Sequence, residues 1–141
     1  MAAGLLRASD LAGYRNGQVF IRNSMHVPLN KEAVRVAMPA FFDLLLAEEH
    51  PVVRMALGHF IFVYIHPYMD GNGRMGRFLM NTMMAAAGYP WTVIPLSESK
   101  TYMAALEKAS VEENIGPFAA FLAKLVRDRL TGSPLPAIPA S

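Results

Sequence analysis

The chain has 141 residues and a mass of 15.5 kDa, enough for one domain with a sizeable buried core. It is 53% hydrophobic and 17% charged, the opposite of a disordered composition. The lack of cysteine excludes disulfide scaffolds and thiolate metal sites, and a net charge of +2 is too small to argue for nucleic acid.

The N-terminal MAAGLLRASD has no apolar run long enough for a secretory signal. The most apolar stretch, Val52 to Ile65, is broken by Arg54, Gly58 and His59. It is also shorter than the ~20 residues that cross a bilayer. The expectation is a cytoplasmic protein with no membrane segment and no direct nucleic-acid partner.

In chain order, Asp10 to Pro28 reads as strand and turn. Asn16-Gly17 is a hairpin-type turn signal, Gln18 to Arg22 is β-rich, and Asn23-Ser24 is a second turn candidate, so a short hairpin is expected over Val19 to Val27. Asn30 can cap a helix to about Glu48 with the apolar stripe Val34, Met38, Phe41, Leu45. Pro39 inside that pattern predicts a kink or a split. Pro51 suits the first turn of a central buried helix to Ile65, with a strand over Phe60 to Ile65 as the competing reading. A third helix is expected from about Asn72 to Ala87, stopped by Gly88, and an extended connector over Trp91 to Pro95. Ser97 can cap a helix to about Val111 with Tyr102, Leu106 and Ala109 on one side. Gly116-Pro117 opens the last helix, with Phe118, Phe121, Leu122, Leu125 and Val126 as its apolar stripe. Residues 131–141 hold three of the ten prolines and read as a flexible tail.

The segment His66 to Arg77, HPYMDGNGRMGR, sets a base, an acid, two small turn dipeptides and two arginines between apolar helices. Asp70-Gly71 and Asn72-Gly73 supply backbone that bends with positive φ and presents its N–H groups at a helix start, where an anion is favoured. Arg74 and Arg77, three apart, are expected on one face, and cations at a helix N-terminus make sense beside a bound polyphosphate. Asp70 beside such an anion calls for a hard cation, and Mg²⁺ takes carboxylate and phosphate oxygens together. His66 titrates in the range a general base needs.

This arrangement resembles the Fic family, within the Fido fold. Its motif is H-x-F-x-[D/E]-G-N-G-R-x-x-R, matched here by His66, Asp70, Gly71, Asn72, Gly73, Arg74 and Arg77, with Tyr68 where Phe is usual. AGYRNGQVFIRNSMHVP is similar to the family's flap, and PWTVIPLSESKTYMAALEKAS to the segment after the motif helix. The resemblance implies a mainly α fold, a helical core around one buried helix with a small β-hairpin flap, in a catalytic domain spanning residues 1–130 with the flap at about 14–28. It implies a protein adenylyltransferase that moves AMP from the co-substrate ATP to a Ser, Thr or Tyr hydroxyl of a target protein. His66 would be the general base, and Asp70 would hold Mg²⁺ between the α- and β-phosphates. The amides of Gly71, Asn72 and Gly73 would form an anion hole, with the Asn72 side chain on the α-phosphate. Arg74 would grip the β/γ end with support from Arg77, and Tyr102 and Ser110 would lie near the nucleoside. Val19, Phe20, Ile21 and Arg22 would offer a strand edge to the target. Members often pair as homodimers.

Gly73 favours nucleotidyl transfer, because the kinase branch of the family carries Lys there. No Ser or Thr begins the inhibitory pattern [S/T]-x-x-x-E-[G/N] found in many members; in a longer chain such a helix could lie upstream of Met1. Gly71-x-Gly73-x-x-Gly76 is a literal GxGxxG, but a dinucleotide site needs a strand running directly into the first glycine. His59 reads as a satisfied core histidine and the methionines between Met69 and Met84 as adaptable packing. The alternatives are a nucleotide-gated protein-binding module, and transfer of another nucleotide or phosphate moiety.

Overall fold

The computed structural model describes residues 13–132. Among the described residues five α-helices follow in order: α1 Lys31–Ala47, α2 Pro51–Ile65, α3 Asn72–Ala86, α4 Ser99–Val111 and α5 Gly116–Leu130, with a 3₁₀ turn at Leu96–Glu98 before α4. Of the expected tail at 131–141, residues 133–141 lie outside the described residues, as does the start of the expected domain at 1–12. Among the described residues no helix is long and apolar enough to cross a membrane.

Asn30 caps α1 as expected, its side-chain oxygen accepting from the Ala33 N–H at 2.8 Å. The predicted stripe Val34, Met38, Phe41 and Leu45 is the buried face. Pro39 does not split the helix. It sits on the exposed side, where water can take the carbonyl it leaves without a donor.

The helix α2 opens on Pro51 and is helical through Ile65, which settles the strand alternative for Phe60 to Ile65. It runs between two apolar clusters. On one side Phe62 and Ile65 meet the α1 stripe. On the other Met55 meets Met80 and Met84 of α3, Tyr102 and Leu106 of α4, and Phe118, Phe121 and Leu122 of α5. A helix enclosed on both sides needs apolar residues all round, hence the unbroken run. At the α2–α3 crossing the backbones approach closely: a Cβ on Gly76 would lie 3.0 Å from Val63 Cγ1.

The expected hairpin flap has no strand pairing: among the described residues there is no β-strand. Side chains take carbonyls that a ladder would use. Gln18 Nε2 donates to Val19 O at 3.2 Å and Pro28 O at 3.0 Å, and Arg15 Nη1 donates to Gly17 O at 3.0 Å. Pro28 also lacks an N–H to give. The one turn bond is Ser24 N–H to Ile21 O at 3.2 Å, at the expected second turn.

The helix α4 begins at Ser99, two residues after the expected cap, because Leu96–Glu98 turns as 3₁₀ first. The connector before it is fixed to α3 by Asn81, whose side chain donates to Thr92 O at 2.9 Å and accepts from Thr92 N–H at 2.7 Å.

Candidate active site

The helix α2 ends at His66, in the left-handed conformation with φ 53° and ψ 62°. Its ring Nδ1 lies 3.0 Å from Val63 O. A carbonyl only accepts, so the proton sits on Nδ1 and Nε2 keeps its lone pair. Burial, with Arg15 and His26 adding positive charge nearby, lowers the His66 pKa and favours this neutral form.

The next turn is held from below. The Asn72 side chain accepts from Tyr68 N–H at 2.9 Å and donates to Tyr68 O at 2.8 Å, so it closes the loop 68–72 on itself. Gly71 then takes φ 77° as the N-cap of α3. Tyr68 keeps the aromatic anchor, its ring centroid 6.2 Å from Phe62 and 5.9 Å from Tyr14.

Two concavities flank this loop. One, of about 540 Å³, is lined by Ile21, Arg22, His66, Gly73, Arg77 and Ser110, with Tyr102 and Glu107 also on its wall. The other, of about 750 Å³, is lined by Asp70, Gly71, Arg74 and the apolar Met69, Met75 and Phe78. His66, Gly73, Arg77, Tyr102, Ser110 and part of the flap are therefore together. Asp70, Gly71 and Arg74 stand on the far side of the same loop. Arg74 and Arg77 do not share one surface as expected. Each folds back toward the loop, as helical side chains lean toward the N-terminus, but Arg74 meets Gly71 and Arg77 meets Gly73. A Cβ on either glycine would be 3.3 Å from the guanidinium it meets.

Asn72 is buried, and its side chain is committed to Tyr68, which leaves its backbone N–H among those at the start of α3. Val19 is buried and Phe20 is 75% exposed, and the flap residues that line the cavity are Ile21, Arg22, Asn23 and Ser24. Tyr102 is buried, with its hydroxyl 2.5 Å from His59 Nε2 and beside the Arg77 side chain. Burial pushes its phenol up to about 12, with Arg77 opposing.

Three further residues tie the site together. Arg15 is fully buried and donates to the His66 carbonyl at 2.7 Å. The Glu107 carboxylate accepts from Ser24 Oγ at 2.5 Å and from Met25 N–H at 2.7 Å, which ties the flap turn to α4. The His26 ring stacks on Tyr64 at 4.1 Å, with Nε2 2.9 Å from Tyr64 O. Their partners are distant in sequence, so no local pattern marks them.

A helical core around one buried helix, with a histidine at its end and a glycine-rich turn opening the next, defines a Fic-type fold. The Fic/DOC family profile matches residues 4–84, and the chain belongs to that family. A relative named protein adenylyltransferase Fic from Nematostella vectensis is 41% identical over 115 residues, covering 79% of this chain and 26% of its own length. One of the same name from Drosophila willistoni is 41% identical over 114 residues, 78% of this chain and 22% of its own. The chain thus spans about a quarter of these relatives. A Fic domain-containing signalling protein from Bacteroides thetaiotaomicron superposes with a TM-score of 0.76 at 26% identity, over 84% of this chain and 52% of that one. Fic-1 of C. elegans gives 0.75 at 28% identity, over 84% and 35%.

Proposed function

We propose that this chain is a protein adenylyltransferase that moves AMP from ATP to a hydroxyl of a target protein. The observation that carries the reading is His66, with its Nε2 lone pair free, on the same cavity wall as Gly73 and Arg77 at the start of α3. The name shared by the curated relatives supports the choice of AMP.

In this reading the nucleotide lies in the cavity with its phosphates over the N–H groups of Gly71, Asn72 and Gly73, where the α3 dipole favours negative charge. His66 Nε2 takes the proton of the target Ser, Thr or Tyr hydroxyl. The freed oxygen attacks the α-phosphorus in line, the phosphoanhydride bond breaks, and pyrophosphate leaves. Arg74 and Arg77 bear on the departing charge from either side of the loop. Ser110 and Tyr102 line the cavity, and Tyr102 also supports Arg77 from beneath.

Asp70 suits a divalent cation. It is exposed, it is the one carboxylate of the motif loop, and no hydrogen bond or ion pair occupies it among the described residues. Mg²⁺ needs no more than one or two carboxylates when phosphate oxygens complete its shell. Bound there with the nucleotide, it would neutralise phosphate charge.

Val19 to Arg22 would receive the target. Among the described residues Phe20 and Arg22 enter no hydrogen bond, so the segment has backbone groups to offer an extended chain.

Incubation with Mg²⁺ and α-labelled ATP in lysate tests the reading: label should reach protein with the wild type and not with His66→Ala. Label arriving only from γ-labelled ATP would show phosphoryl transfer. Partner capture without any labelling would show a binding module.

A further inference from the structure

We infer that Arg15 is the positioning residue for the His66 base, locking the end of α2 and joining it to the root of the flap. The inference rests on the reading of His66 as a base.

A helix ends with unpaired carbonyls and partial negative charge, which a cation in its last turn relieves. The last turn of α2 has no basic residue of its own. Arg15 supplies the charge from elsewhere in the chain. Its Nε donates to His66 O at 2.7 Å and its Nη2 to Ile65 O at 3.2 Å. The same guanidinium donates to Gly17 O at 3.0 Å and to Leu29 O, one carbonyl on each side of the flap segment. Its main chain adds a bond from its N–H to Pro67 O at 2.9 Å. Arg15 is 1% exposed, and no carboxylate pairs with it among the described residues. A buried cation is costly unless its donors are used, and here main-chain carbonyls use them.

What this holds in place is strained. A histidine in the left-handed region pays roughly 1 kcal/mol. That conformation lets Nδ1 reach Val63 O, which fixes the proton on Nδ1 and leaves Nε2 as the base. Without the bonds to Ile65 O and His66 O, residue 66 can relax and its ring can take either tautomer. Lysine cannot replace the fork, since one ammonium cannot reach carbonyls spread around a planar guanidinium.

The test uses Arg15→Gln and Arg15→Lys, each kept well below its own melting temperature. Histidine ¹⁵N–¹H correlation spectra report tautomers, with His66 assigned by its loss in His66→Gln. The wild type should show the Nδ1–H form above pH 7, and both variants should move toward a mixture. In transfer assays kcat should fall about tenfold or more, while the KM for ATP stays within about twofold. If Arg15→Gln does not fold, Arg15→Lys decides alone, because it retains the buried charge. A folded variant whose His66 keeps the wild-type tautomer overturns the inference, whatever its kcat. A tautomer shift in a protein whose wild type transfers no label supports it, and removes only the assigned activity.

Discussion

His59 Nε2 stands 2.5 Å from the Tyr102 hydroxyl, a contact that joins the central helix to α4 beneath Arg77. His59 Nδ1 is buried with no hydrogen-bond partner. Tyr102→Phe would therefore leave both ring nitrogens unpaired in the core, at a cost of about 1–3 kcal/mol. It would also remove the oxygen beside Arg77. The expected result is a lower urea midpoint with an unchanged slope, and a KM for ATP raised several-fold. A wild-type midpoint would mean that the contact contributes nothing to stability.

The same histidine makes acid a denaturant. Burial lowers the His59 pKa from 6.5 to about 4. As pH falls below 6.5, the unfolded chain takes up a proton that the folded chain refuses until about pH 4. Stability should fall across that window, by on the order of 3 kcal/mol, and this contribution should be flat below it. His59→Leu should lessen the slope between pH 6.5 and 4 in denaturant titrations. A slope equal to the wild type's would place the acid sensitivity elsewhere.

Much of this arrangement is legible in the chain. The stripe Val34, Met38, Phe41, Leu45 declares the buried face of α1, and the run after Pro51 declares a helix enclosed by others. The motif loop is legible because its chemistry lies within twelve consecutive residues, His66 to Arg77. What sequence could not convey is long-range polar pairing. Nothing near Arg15 in the chain marks the carbonyls of Leu29, Ile65 and His66 that surround it. The expected hairpin is not seen among the described residues for a related reason, since Gln18 and Arg15 take main-chain acceptors over the same stretch. The pairing of Arg74 and Arg77 on one surface also failed, because their three-residue spacing says nothing about which side of the loop each side chain takes.

Glu107 offers a test of the flap. Its carboxylate accepts from Ser24 Oγ and from Met25 N–H, and both donors belong to the turn that covers the cavity. Glu107→Gln loses the charge and keeps only one acceptor oxygen, which weakens the tie by about 1 kcal/mol or more. Trypsin should then cut after the exposed Arg22 about fivefold faster, by the same estimate. The KM for the protein target should rise while the KM for ATP holds. Equal cleavage rates in wild type and variant would show that the flap is held by His26 and Gln18 without Glu107.

The pH dependence of transfer follows from His66. The base acts in its neutral form, and burial lowers its pKa from 6.5, with Arg15 and His26 acting in the same direction. The rate should therefore be level through neutral pH and fall with a one-proton slope only below 6.5. Measured as kcat at saturating ATP, the limb is free of the titration of unbound nucleotide. His26→Ala removes one of the groups that lower the His66 pKa, so its limb should move upward from the wild-type position. An inflection above 6.5 in the wild type would mean that a different group, or a different step, controls the rate.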